Sequence, residues 1–130
     1  MIYLDANVIL RYLLADDATQ HVISKNVIDT SPNIFILDGV ALEIVYVLTK
    51  AYGIEREQVG DKLVELFKQK RFCFENKLLI LKALDIFKKR NLDFVDCMLC
   101  ACKELNSVEV FTFDKKLLKC LEKETANGIK

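Results

Sequence analysis

Residues 1–10 read MIYLDANVIL. Four apolar residues run to Asp5, and after Asn7 the apolar positions return at helical spacing in VILRYLL (8–14). A short apolar run that gives way to a helical period reads as a buried strand feeding a helix. The same alternation continues along the chain. IFIL (34–37), FCF (72–74) and VEVFTF (108–113) are short and rich in β-branched or aromatic residues, as buried strands are. Between them lie helical stripes: Val59, Leu63, Leu66 and Phe67 in residues 55–71, and Ile80, Ala83, Leu84 and Phe87 in residues 76–90. Residues 7–14, 17–29, 38–52, 94–105 and 115–123 also read as helices, with Asn7, Asp16, Asp38 and Asp93 as caps near their starts. Strands alternating with helices predict an α/β fold, a parallel sheet covered by helices on both faces.

Composition narrows the setting. At 130 residues, 52% of them hydrophobic, the chain predicts one domain over residues 1–130 with a proper core. Its 19 basic and 19 acidic side chains cancel, which argues against binding nucleic acid by bulk charge alone. The apolar start lacks a basic flank and is interrupted by Asp5, unlike a secretory signal. No run approaches the roughly 18–20 uncharged apolar residues of a membrane span, so no membrane association is expected. Five cysteines, at 73, 97, 100, 102 and 120, read as buried thiols of a cytoplasmic protein and not as a disulfide framework. Of these, 97, 100 and 102 suit a small-residue packing face better than a metal or redox motif. His21 reads as lying on a solvated helix face.

Four carboxylates stand out. Asp5 and Asp114 each follow a predicted strand, at the carboxyl edge where parallel sheets gather functional groups. Glu43 is the only charge in GVALEIVYVLT (39–49), and Asp96 the only one in FVDCMLCAC (94–102). None has Lys or Arg at i±3 or i±4, so no local ion pair is available. Taken singly, each has a plain explanation: an aspartate after a strand often caps the next helix, and a lone glutamate can turn to solvent. Taken together, converging carboxylates either take up protons or hold a hard divalent cation such as Mg²⁺ or Mn²⁺.

The stretches YLDANVILRYLL, ALEIVYVLTK, LDFVDCMLCA and VFTFDKKL resemble, in order and spacing, the four acidic motifs of PIN-domain ribonucleases, and among these the VapC toxins of toxin–antitoxin pairs. The resemblance covers essentially the whole chain. It implies a PIN-like three-layer α/β/α sandwich with a central, mainly parallel sheet of four or five strands. It also implies that Asp5, Glu43, Asp96 and Asp114 are the catalytic, metal-binding acids, with Asp93 as an accessory. Asn7 and Thr112 would be supporting polar residues. The implied activity is Mg²⁺- or Mn²⁺-dependent endoribonucleolytic cleavage of RNA, by a homodimer neutralised by a cognate antitoxin. Arg11, Lys115 and Lys116 are the candidates for RNA contact, since phosphates need cations near the site. The basic clusters KQKR (68–71) and KKR (88–90) read equally well as helix ends. Tyr3, Tyr46 and Tyr52 are possible stacking partners for bases, although Tyr3 and Tyr46 fit core packing better.

Residues 38–52 and 55–70, joined by YGIE, predict a helical hairpin. The sequence departs from the family after Asp114, where KKLLKCLEKETANGIK gives no convincing final strand. Competing readings are a PIN-type RNA-processing nuclease outside toxin–antitoxin systems and a non-catalytic RNA- or protein-binding domain of the same fold. A phosphatase with Asp5 as nucleophile would want a second acid at position 7, where this chain has Asn.

Overall fold

Helix starts and stops follow the local chemistry closely enough to fix the element order. The computed structural model describes the backbone of residues 1–128 and side chains as far as Glu122. The elements are β1 (Ile2–Tyr3), α1 (Ala6–Leu14), α2 (Ala18–Thr30), β2 (Ile34–Phe35), α3 (Asp38–Tyr46), a π-helical turn (Val47–Ala51), α4 (Arg56–Phe67), β3 (Phe72–Cys73), α5 (Lys77–Lys89), α6 (Phe94–Asn106) and α7 (Lys115–Gly128). Every predicted helix is present within a few residues, and α7 runs on to Gly128 where 115–123 was expected. No final strand follows α7 among the described residues, and residues 129 and 130 lie outside them.

The caps differ in detail from expectation. Asp5, not Asn7, caps α1, accepting the Val8 amide at 3.3 Å. Asp17, not Asp16, caps α2, accepting the Gln20 amide at 3.0 Å. Asp38 is the first helical residue of α3, whose cap position is Leu37. Asp93 does occupy the cap position of α6, but its side chain makes no capping hydrogen bond.

The sheet is parallel, in the order β1-β2-β3. Ile2 pairs with Ile34, and Ile34 with Phe72. Its middle is fully buried: Ile34, Ile36 and Phe72 sit against Phe67, Leu63, Ile80 and Leu84. The Phe67 ring meets Phe74 edge-on at 5.0 Å, an arrangement that adds to simple area burial. α5 packs between α4 and α6, and α6 packs on α7. Gly53, at φ 65°, makes the turn of the predicted helical hairpin, a conformation that glycine adopts without the steric penalty of a side chain.

Several expectations are corrected. The sheet has three strands among the described residues, not four or five. Residues 107–114 form no strand; Ser107, at φ 56°, turns the chain out of α6, and Phe111 and Phe113 are 85% and 88% exposed. A strand needs a partner ladder as well as a propensity, and this segment meets none. Its phenyl rings pack on each other instead, at 5.1 Å. β1 is therefore an open edge, and Tyr3, expected in the core, is 60% exposed.

The cysteines give a further correction. Cys100 on α6 and Cys120 on α7 are joined in a disulfide, while Cys73, Cys97 and Cys102 are free. Helix packing brings the two Cα atoms to 6.3 Å, within bonding range. Spacing along the sequence could not reveal that. No helix among the described residues is long and apolar enough to cross a membrane.

Candidate active site

Asp96 is the centre of the acidic site. It stands in the first turn of α6, flanked by the buried Phe94 and Cys97, so its carboxyl is half-buried. That burial, followed by the charges of Asp114 and Asp93, raises its pKa above the ordinary carboxylate value. It makes no hydrogen bond or ion pair among the described residues. Asp93 lies one turn earlier with its side chain free of the helix end. Asp114 arrives from the irregular segment, where its carboxylate accepts the Leu117 amide at 3.0 Å. Its own amide donates to Thr112 Oγ1 at 3.0 Å. Thr112 thus fixes the backbone beside the acid, a positioning role.

Glu43, on α3, is exposed, which overturns the view of it as a carboxylate stranded in a core helix. It shares a cavity of about 610 Å³ with Asp93, so α3 and α6 bring those two acids to one place. Asp5 and Asn7 lie on the N-terminal turn of α1 and are both exposed. Asp5 contacts its own helix end, and no hydrogen bond or ion pair joins it to the other acids. The burial argument therefore applies to Asp96 alone, while the other four acids keep water as a partner.

The cations divide sharply. Arg11 is committed elsewhere, pairing with Asp16 at 2.7 Å and receiving support from the Tyr52 hydroxyl, which itself donates to Asp16 at 2.8 Å. The Tyr52 contact, joined by Asp16, raises its pKa against an opposing loss to burial. Lys115 and Lys116 are exposed directly after Asp114 and have no ion-pair partner among the described residues. Arg56, which sequence reading passed over, lies 3.7 Å above the Phe87 ring and donates to the carbonyls of Phe87 and Leu92. Burial lowers its pKa, offset in part by Cys97 and Asp93 nearby. One signal was available: a basic residue opening a helix opposes the macrodipole and so needs another reason to be there.

The remaining candidates are structural. Burial pushes the Cys97 thiol up to about 12, which rules out a thiolate nucleophile near neutral pH. The His21 ring is half-buried, not solvated: Nδ1 is 3.0 Å from the Arg11 carbonyl and the ring stacks on Tyr12.

The donor chemistry suits a hard divalent cation, because Asp93, Asp96 and Asp114 are carboxylates that feel one another's charge, and none of the three makes an ion pair among the described residues. The spacing is open, however: no group of three His, Cys, Asp or Glu among the described residues is close enough to hold an ion.

Residues 2–121 match the family model described as PIN domain. The chain is 27% identical over 120 residues to a protein named VapC ribonuclease from Aquifex aeolicus (strain VF5), covering 89% of each. No solved structure matches it.

Proposed function

This chain belongs to the PIN domain family, and from that membership and the site we propose that it is a divalent-metal-dependent endoribonuclease, the toxin of a toxin–antitoxin pair. The observation that carries the reading is the half-buried Asp96 carboxyl beside the charges of Asp93 and Asp114, with no ion pair among the described residues to balance it. Similarity to a protein named VapC ribonuclease supports the substrate class and the toxin role. RNA, a cognate antitoxin, a homodimer, a cytoplasmic location and a single domain over residues 1–130 complete the proposal, and the family resemblance is their support.

Asp5, Glu43, Asp96 and Asp114 would hold Mg²⁺ or Mn²⁺, with Asp93 as an accessory acid. When bound, the cation supplies Lewis acidity toward a phosphodiester oxygen and acidifies water. The chain's own residues do the rest. Asp96 contributes a carboxylate already desolvated on one side, so its attraction for positive charge is strengthened. Thr112 and the first turn of α7 fix Asp114. Asn7, exposed in the first turn of α1, would support Asp5. Lys115 and Lys116 offer phosphate contacts beside Asp114, whereas Arg11 is held in its own network.

The purified chain is expected to cleave RNA with Mn²⁺ or Mg²⁺ and to stop in EDTA. Asp5→Asn and Asp96→Asn should each lower the rate by about 100-fold or more, the scale on which loss of one preorganised charge acts. Metal-independent cleavage, or full activity in both variants, would overturn the proposal.

A further inference from the structure

We propose that the cavity shared by Glu43 and Asp93 is a nucleotide subsite, in which Tyr46 stacks on the base next to the cleaved bond and Lys50 takes a neighbouring phosphate. This rests on the nuclease reading and deepens it, since it states how a chain without net basic charge holds single-stranded RNA. The cavity, about 610 Å³, lies within the range of small-ligand sites. Glu43 and Asp93 stand on its wall, so whatever fills it lies next to the acidic site. Phe87 and Phe94, packed edge-on at 6.0 Å, contribute its apolar lining.

The groups available to a ligand are unequal. Tyr46 closes α3 and Lys50 lies in the π-helical turn that follows, four residues on and therefore close to one face. Thr49 between them is already satisfied, donating to the Val45 carbonyl at 2.8 Å. Arg56 is bound to two carbonyls and to the Phe87 ring. Tyr46 and Lys50 are different. Tyr46 is 61% exposed, and neither its hydroxyl nor the Lys50 ammonium has a partner among the described residues.

A large aromatic ring left in water beside a free ammonium fits one ligand class well. Bases of a single strand stack on such rings, and the linking phosphates meet the cation. The cavity wall carries both charges: Glu43 and Asp93 suit the metal-assisted chemistry, and Lys50 suits a neighbouring phosphate. A π-helical turn commonly marks a functional position in a helix, and here it carries Thr49 and Lys50 into the cavity wall.

The test uses the full chain and single-stranded RNA. Tyr46→Ala should raise KM about tenfold to a hundredfold, the range measured for one base–aromatic stack, with kcat within about twofold. Tyr46→Phe, which keeps the ring, should restore the wild-type KM. Lys50→Ala should raise KM at low salt and flatten the salt dependence by about 0.7 in log–log slope, as loss of one single-strand phosphate contact does. A second readout is independent of turnover. In EDTA, a 2-aminopurine-labelled single-stranded RNA should be quenched by the wild-type chain and by Tyr46→Phe, and not by Tyr46→Ala. Tyr46-dependent quenching without any cleavage would uphold the subsite and sink the nuclease reading. Cleavage with KM and quenching indifferent to Tyr46 would do the opposite, and is the result expected if the cavity receives a protein segment. Equal damage from Tyr46→Phe and Tyr46→Ala also overturns the proposal, because it assigns the role to the hydroxyl.

Discussion

Asp96 and Asp114 feel each other's charge from very different supports. Asp96 stands on α6, whose inner face buries Phe94, Cys97, Cys100 and Ala101 against α5 and α7. Asp114 ends a stretch in which Phe111 and Phe113 point into water, and only beyond it do Leu117, Cys120 and Leu121 return to the core. Both stretches are strongly apolar. One became a packed helix because its stripe is local to the chain. The other has strand propensity but no ladder, since it meets no partner strand among the described residues. The contrast predicts that one half of the acidic site is rigid, while the other is tied down mainly at its two ends.

The largest effect should come from testing that contrast by truncation. Phe94→Ala, on the buried face of α6, should cost about 3–5 kcal/mol, lowering Tm by roughly 12–20 °C for a chain of this length. Phe111→Ala and Phe113→Ala should each stay within about 0.5 kcal/mol of wild type. Thermal melts of the three variants decide the matter. A core-sized loss from Phe111→Ala would mean that residues 108–113 are packed as the strand their sequence suggests, and the comparison would fail.

A second effect of nearly that size concerns the tie itself. Cys100 and Cys120 are separated by 20 residues, and the disulfide closes that loop across the irregular segment. Opening it by reduction, or by Cys120→Ser, should remove about 3 kcal/mol on the loop-entropy estimate. Hydrogen exchange should show where the loss falls: α7 amides should lose protection more than those of α5. Uniform loss across both helices would mean that the two halves unfold as one unit.

These differences also explain what the sequence could and could not reveal. Helical stripes are written within a dozen residues, so α1 to α7 were legible nearly to their ends. The caps slipped by one or two positions where acids cluster, as at Asp16 and Asp17, because backbone geometry chooses between neighbours. Strands 1–4, 34–37 and 72–74 were legible because each lies in a β–α alternation that places a partner beside it. VEVFTF carried the same composition without that guarantee. The acids themselves were found by their lack of local partners, but exposure was not legible. GVALEIVYVLT is apolar on nearly every side, so nothing in it tells which face Glu43 occupies. The groove of Tyr46, Lys50 and Arg56 is formed by α3, the π-helical turn, α4, α5 and α6 together, and no single stretch encodes it. Nor does any stretch encode the Cys100–Cys120 bridge, which needs α6 and α7 side by side.

The smallest effect is the most direct probe of how the two supports meet. Asp96 is protonated more readily in the folded chain than in the unfolded one, first through burial and then through Asp114 and Asp93. Between the ordinary carboxylate pKa and its raised folded value, the native state therefore binds more protons. Stability should fall as pH rises through that window, and the ionised group should be a liability to the fold near neutrality. Asp96→Asn removes the group that titrates, so without metal it should flatten that slope and melt higher near pH 7. A rise of about 2 °C is what roughly 0.5 kcal/mol gives a chain of this size. Asp114→Asn removes one neighbouring charge and leaves the burial of Asp96 in place, and asparagine still caps α7. Its gain should be the smaller of the two. A divalent cation should reverse the ranking, raising the wild-type Tm above both variants, because only the full set of carboxylates has the charge to hold it. If Asp96→Asn melts below wild type in EDTA, its carboxyl is stabilising as an anion, and the two halves of the site do not repel. If Asp114→Asn gains as much as Asp96→Asn, repulsion outweighs burial, and the irregular segment holds its carboxylate as firmly as the helix holds Asp96.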